Sequence, residues 1–157
     1  MNSSFAIWFA FGIGFVAGLR SFTAPAIVAW SAYLRWILLK VSPVAFMGSK
    51  WAAIVFSILA VIELVLDKLP NTPARTGAVG LSARITTGAL TGACIAVASF
   101  ATLWVGALCG AIGAIVGAFG GYNARVGLVR ILRVPDFVIA IPEDLVAIGL
   151  GLFFGSR

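Results

Sequence analysis

Two acidic residues lie inside an otherwise apolar stretch of this chain, and they are its first candidates for chemistry. Glu63 and Asp67 are four residues apart, so on a helix their carboxylates share one face. Ionisable groups in a membrane-spanning helix are costly to bury and are usually functional. We therefore expect Glu63 and Asp67 to bind a proton or a cation. The alternative is that Glu63 pairs with an arginine to fix the fold, while Asp67 lies at the membrane interface.

Arg20 interrupts the first apolar run, and Thr23 and Pro25 follow it closely. A guanidinium can hold a carboxylate or phosphate in bidentate fashion. Arg20 could therefore face an anionic substrate group or pair with one of the two acids; the alternative is a helix end that snorkels to the interface. Because proline removes a backbone donor and restricts the residue before it, we predict a helix break here.

The remaining candidates are Arg84, Arg125 and the acidic pair Glu143 and Asp144, which follows Pro142. Proline suits the first position of a helix, and acids suit its first turn because the helix dipole is positive there. We therefore predict that the last helix begins at Pro142. The alternative is that the pair supplies counter-ions to Arg125 or Arg84.

Enzyme signatures are missing from the sequence. The chain has no histidine, its two cysteines are Cys94 and Cys109 without a CxxC spacing, and the common nucleophile, metal and nucleotide motifs do not occur. Acid chemistry by the two carboxylates stays open, but nothing specifies a reaction. The sequence predicts no cofactor and no metal site.

The composition favours a membrane protein. Of 157 residues, 62% are apolar and 10% are charged, and the mean hydropathy is +1.12. In soluble domains about 45–50% of residues are apolar and about 25% are charged. The net charge of +6 lies mostly in the gaps between apolar runs. Membrane proteins place such charge there for topology and for contact with anionic headgroups. We predict one integral-membrane domain over 1–157, with the lipid bilayer as its partner and no nucleic-acid binding.

The apolar runs predict an all-α, polytopic transmembrane bundle of five or six helices. The uncharged run 85–123 is too long for one span, so we predict two helices with a turn near 99–106. The first segment is either one kinked helix or a hairpin broken near Arg20–Pro25, which decides between five and six spans. The other runs are 5–19, 26–39, 51–69 and 142–154.

In both counts the connecting segments 68–84 and 123–136 fall on the same face of the membrane. The positive-inside rule makes that face cytoplasmic and predicts a multi-pass protein of the inner (plasma) membrane. The basic residues in these two segments are Lys68, Arg75, Arg84, Arg125, Arg130 and Arg133.

Glycines recur at three- and four-residue spacing and predict smooth stripes on which helices pack closely. The pattern does not separate packing within one subunit from a homo-oligomer interface or a pore-facing surface. A weak internal repeat, about 1–77 and 78–157, is a further hypothesis, because each half has a glycine-striped helix, an arginine and a later acidic helix. The stripes contain Gly14, Gly18, Gly88, Gly92, Gly106, Gly110, Gly113, Gly117 and Gly121.

The order of these motifs resembles small bacterial integral-membrane proteins of the uncharacterised family catalogued as domain of unknown function 4126. The elements that carry the resemblance are Gly-Leu-Arg-Ser-Phe-Thr-Ala-Pro at 18–25, Glu-Leu-Val-Leu-Asp-Lys-Leu-Pro at 63–70, Thr-Pro-Ala-Arg at 72–75 and Gly-Ala-Phe-Gly-Gly-Tyr at 117–122. The resemblance covers nearly the whole chain. It implies a membrane protein and supplies no activity. It makes these positions the first to test: Arg20, Asp67, Lys68, Arg75, Arg125, Glu143 and Asp144.

We expect a small transporter or channel-like protein that uses its intramembrane charges to move an ion or small solute. We also expect it to act as a homo-oligomer. The alternative is a non-transporting membrane partner: a scaffold, an assembly factor or a lipid-binding subunit.

Overall fold

The computed structural model describes residues 3–39, 42–67, 77–132 and 136–155. These residues form six α-helices and one 3-10 turn, and they contain no β-strand, so the predicted all-α class is confirmed. The helices are α1 (Ser3–Leu19), α2 (Thr23–Tyr33), α3 (Lys50–Leu66), α4 (Ala78–Ala98), α5 (Leu103–Leu132) and α6 (Asp136–Gly155), and the 3-10 turn is Ala45–Gly48.

The first two helices form an antiparallel hairpin. Gly151 of α6 lies against Val16 of α1 and Ile27 of α2, whereas further along α6 Gly155 lies against Ile27 and Ser31. In the opposite sense, Gly12 lies against the ring of Phe154. α6 therefore runs parallel to α2 and antiparallel to α1.

The contacts between glycines order the other helices in the same way. α5 runs parallel to α1, because Gly14 meets Gly110 and Gly18 meets Gly117, and α4 runs antiparallel to both. α3 runs antiparallel to α2, because Trp30 bonds Ser57 and the backbone of Ser21 bonds Glu63. The turn between α1 and α2, the ends of α3 and α5 and the starts of α4 and α6 consequently lie at one end of the bundle. We call this end the charged end, since it carries the polar cluster described below.

Helices α1, α4 and α5 pack backbone against backbone. A Cβ atom built on Gly14 would lie 2.6 Å from Cα of Gly110, and one built on Gly92 would lie 2.8 Å from the same atom. Backbone cannot move aside as a flexible side chain can, so these positions require glycine. Gly113 and Gly117 meet the backbone at Phe11 and Phe15 in the same manner.

Two helices, α4 and α5, are long and apolar enough to cross a membrane by length and composition, and Phe5–Leu19 is a shorter apolar helix. The outer surface of the bundle is also apolar. Large hydrophobic side chains stand exposed on every long helix, with Trp51 at 75% and Trp104 at 74% of full exposure.

Several predicted boundaries are wrong. The last helix begins at Asp136, so Pro142 lies inside α6 instead of opening it. Pro142 costs the helix one backbone bond, and the helix continues through it. Likewise, α4 begins at Ala78 and α5 continues to Leu132, so Arg84, Arg125 and Arg130, three of the six basic residues assigned to connecting segments, are helical. The other three, Lys68, Arg75 and Arg133, lie outside the described residues.

We predict that Gly14→Ala lowers the free energy of unfolding by about 1–3 kcal/mol, since the new methyl group meets backbone and overpacks the contact. Gly149→Ala is the matched control: its Cβ meets nothing within 4 Å, so the variant should gain up to about 1 kcal/mol from helix propensity. Titration with sodium dodecyl sulfate, followed by circular dichroism, measures both. Equal stability of the two variants would contradict the packing assigned to Gly14.

Candidate functional site

The site is built around the break between α1 and α2. The last bond of α1 runs from the Arg20 backbone N–H to the Val16 carbonyl at 2.8 Å, and the first of α2 runs from Ala26 N–H to the Phe22 carbonyl at 3.0 Å. The turn is therefore residues 20–22. Thr23 and Pro25, which we predicted at the break, form the first turn of α2, where a missing proline N–H costs no helical bond.

Glu63 caps the start of α2 from a neighbouring helix. Its two carboxylate oxygens accept hydrogen bonds from the backbone N–H groups of Ser21 and Phe22, at 2.8 and 2.9 Å. Phe22 is the N-cap residue and has no side-chain oxygen that could do this locally. The carboxylate also lies at the positive end of the α2 dipole, which favours its charge.

Arg84 caps the end of α1 in the complementary sense. Its Nε donates to the carbonyl oxygen of Gly18 at 3.0 Å, which is one of the carbonyls left without a helical partner at the end of α1. Its Nη1 donates to the Gly80 carbonyl at 3.2 Å, and its Nη2 lies 3.8 Å from Oε1 of Glu63. The two capping side chains therefore also form an ion pair, and the guanidinium of Arg84 is buried.

Arg20 lies at the centre of the turn, and only 1% of its side chain is exposed. Its Nη1 pairs with Oδ2 of Asp67 at the end of α3, and its Nη2 pairs with Oδ1 of Asp144 on α6. The two carboxylates are 10% and 12% exposed. Within the described part of the chain, the buried Nε of Arg20 has no hydrogen-bond acceptor. We call these three residues the Arg20 triad.

A second ion pair lies beside the triad. Nη1 of Arg125 on α5 lies 3.5 Å from Oε2 of Glu143 on α6, and each side chain is 12% exposed. This pair forms part of the wall of a cavity of about 470 Å³ between α1, α5 and α6. Glu143 and Asp144 are neighbours in sequence, so α6 connects the cavity to the triad.

The structure thus brings together seven of the nine predicted charged residues at the charged end of the bundle. The other two, Lys68 and Arg75, lie outside the described residues. The backbone partners of the cluster were not predicted: the N–H groups of Ser21 and Phe22 and the carbonyl of Gly18. No signal in the sequence points to them, because Ser21 and Thr23 on either side of Phe22 are both residue types that commonly cap a helix locally.

Aromatic residues mark the opposite half of the bundle. Trp51 and Trp104 lie in the first turns of α3 and α5, and Trp8 lies in the second turn of α1. Trp30 lies in the last turn of α2, and Trp36 lies just after it. All five tryptophans are exposed. The charged cluster and the tryptophans therefore lie at opposite ends of the bundle, and the basic residues Arg35 and Lys50 lie at the tryptophan end.

The fold and the site together define an all-helical, glycine-packed bundle that holds a buried guanidinium–carboxylate network at a helix break. The family model described as "Domain of unknown function (DUF4126)" matches residues 7–154, and the chain belongs to this family. Neither the curated proteins nor the solved structures give a match to the chain.

We predict that Glu63→Gln speeds hydrogen exchange at the amides of Ser21 and Phe22 and lowers stability by about 1.5–3 kcal/mol, because an amide supplies one acceptor where the carboxylate supplies two. Glu143→Gln is the same chemical change on α6 and should leave these two amides unaffected. Exchange measured by mass spectrometry on a peptide containing residues 19–25 reports the difference. If both variants exchange alike, Glu63 is not the cap.

We predict that Arg20→Met lowers stability by about 3–5 kcal/mol, because two buried carboxylates lose their shared counter-ion. Combining it with Asp67→Asn and Asp144→Asn should recover most of this loss, since the triple variant leaves no unpaired charge. Detergent unfolding of both proteins tests the triad. A triple variant no more stable than Arg20→Met would show that the three residues do not act as a unit.

Proposed function

We propose that this protein is a multi-pass membrane protein that moves an ion or a small solute across the bilayer. The observation that carries the proposal is the Arg20 triad. A single buried guanidinium, placed at the break between two helices, is shared by carboxylates from two further helices. Charged groups buried in membrane bundles commonly mark ion pathways and relays.

The distribution of side chains supports placement in a bilayer. Tryptophan and tyrosine concentrate at membrane–water interfaces. On α5, Trp104 and Tyr122 are both exposed, and their spacing of 18 residues corresponds to about 27 Å along a helix. This is close to the thickness of a bilayer core, about 30 Å. The tryptophans would mark one interface, and the charged end would lie at the other.

The basic residues set the orientation in this proposal. α3 and α5 both end at the charged end, and the sequence segments that follow or close them, 68–84 and 123–136, contain six of the eleven basic residues. The positive-inside rule then places this end in the cytoplasm and the protein in the inner (plasma) membrane. An ion would reach the triad from the cytoplasmic side, because the side chains of Asp67 and Asp144 each keep a small exposed fraction.

The triad suggests how an ion could act. A proton or cation that engages Asp67 or Asp144 weakens the bond of that carboxylate to Arg20. The guanidinium then keeps the other carboxylate, so binding changes which helix, α3 or α6, is tied to the α1–α2 turn. Buried interfaces with two arrangements of this kind are what a gate requires. The Nε of Arg20 offers a further donor to a polar solute.

Glu63 and Arg84 have a different role in this proposal. Both are committed to backbone groups of the broken helix. Removing either from those groups leaves buried polar backbone without a partner. We therefore assign the ion-responsive role to Asp67 and Asp144, and the holding of the break to Glu63 and Arg84.

Purified protein in liposomes should conduct at least one of H⁺, Na⁺, K⁺ and Cl⁻, measured with ion-sensitive dyes under an imposed gradient. We expect Asp67→Asn and Asp144→Asn each to lower the flux at least tenfold, because each removes one of the two carboxylates between which Arg20 must exchange. Arg130→Gln is the matched control: this residue is exposed on α5 and lies outside the cluster, so flux should stay within twofold.

Absence of flux for all four ions from correctly folded protein would contradict ion transport.

A specific observation favours the alternative of a non-transporting scaffold or assembly partner: α3 packs mainly on α2 and leaves a broad apolar face exposed, including Val55, Ile58 and Ile62. Native mass spectrometry separates the two proposals. A stoichiometric second protein without flux favours the scaffold, and a homo-oligomer with flux favours transport.

A further inference from the structure

The cavity at the charged end is large enough to hold a ligand. It has a volume of about 470 Å³, which falls in the range of small-molecule sites. It is lined by the end of α1, by α5 from Gly120 onward and by the first half of α6. Its walls are mostly apolar, with Phe15, Leu19, Leu128 and Val146 among them.

Among the described residues that line the cavity, the charged ones are Arg125 and Glu143. The 3.5 Å between their nearest nitrogen and oxygen atoms is longer than the roughly 2.7–2.9 Å of a close charge-assisted bond. A planar guanidinium in a mostly apolar wall is well suited to bind a carboxylate or a phosphate.

We propose that this cavity binds an amphiphile with an acidic head group: its hydrocarbon chain fills the cavity, and its carboxylate or phosphate binds Arg125. Charge complementarity supports an acidic head, because Arg125 is the cationic residue among the described residues that line the cavity, and the acidic head would take the place of Glu143 beside it. A free fatty acid and an anionic phospholipid share this chemistry. The inference does not depend on transport, since it concerns a cavity outside the Arg20 triad.

Gly120 makes the proposal testable. It lines the cavity, and a Cβ atom built on it would meet nothing within 4 Å. A larger side chain at this position therefore enters open space and fills the cavity without a clash at its base. Gly127 lies on the same helix and also has nothing within 4 Å of a built Cβ, but it does not line the cavity. Both substitutions change the helix propensity of α5 equally.

The first experiment measures binding of cis-parinaric acid, a fluorescent fatty acid, to the purified protein in detergent, and its displacement by oleate. We expect saturable binding to the wild type and a Kd at least tenfold higher for Gly120→Leu. Gly127→Leu should bind within twofold of the wild type, and circular dichroism checks that both variants are folded. Equal affinity of Gly120→Leu and Gly127→Leu would overturn the proposal, as would the lack of saturable binding.

The second experiment tests the head group. Oleyl alcohol has the same chain without the acid, so it should displace the probe at least tenfold less effectively than oleate. In Arg125→Gln this preference should fall to within about twofold. An alcohol that competes as well as the acid in the wild type would refute a role for Arg125 in recognition.

The source of the ligand is resolved in lipid nanodiscs. Native mass spectrometry of protein released from phosphatidylglycerol or phosphatidylcholine discs should show retained phosphatidylglycerol if the ligand is a bilayer lipid. If only added oleate is retained, the ligand is a free fatty acid. Equal retention of both phospholipids, with no retained oleate, would overturn an acidic head group. None of these measurements requires a gradient, so a failure of ion transport leaves their outcome unaffected.

Discussion

The capping of one helix break by side chains from two other helices is the interaction on which the rest of this structure depends. A chain that turns after Leu19 and starts again at Thr23 leaves donors on one side and acceptors on the other. In a bundle with an apolar surface, water cannot easily satisfy them. Glu63 accepts hydrogen bonds from the N–H groups at the start of α2, and Arg84 donates one to a carbonyl at the end of α1. The two side chains also neutralise each other's charge. The break is thus stable because α3 and α4 arrive at it with opposite charges.

This arrangement requires helices to approach very closely, and glycine provides the approach. Gly18 carries the carbonyl that Arg84 binds, and it also packs against the backbone of α5. A side chain at this position would push α5 away from the turn. The same close packing brings Arg125 and α6 towards the triad. Packing and electrostatics are therefore coupled at Gly18. This residue is the last glycine of the stripe that packs α1 against α5, and its carbonyl binds Arg84 of α4.

The sequence predicted much of this fold because its strongest signals are local. Arg20 and Pro25 indicated the break, and the length of the uncharged run indicated the turn that the structure places between Ala98 and Leu103. The errors arose where a charge or a proline was interpreted as a boundary. Arg84 lies within α4 because its guanidinium is buried against Gly18, and Pro142 lies within α6. The carbonyl that Arg84 binds is 66 residues away in the chain, so local sequence does not reveal it.

The partners of the charged residues were harder to predict than their importance. Sequence spacing places Glu63 and Asp67 on one face of α3, but it does not show that one binds backbone amides and the other a guanidinium. That division depends on where the turn at residues 20–22 lies relative to the end of α3. Two carboxylates one helical turn apart consequently meet different groups.

The separation of the Arg20 triad along the chain has a consequence for biogenesis. Arg20 is synthesised early, directly after α1. Asp67 is synthesised at the end of α3, and Asp144 is synthesised within α6. The hairpin of α1 and α2 therefore enters its environment with a cation that lacks its full set of counter-ions. Only when α6 docks is that charge enclosed on both sides. α6 thus supplies the last counter-ion of Arg20, and a nascent chain without α6 leaves that guanidinium only partly paired.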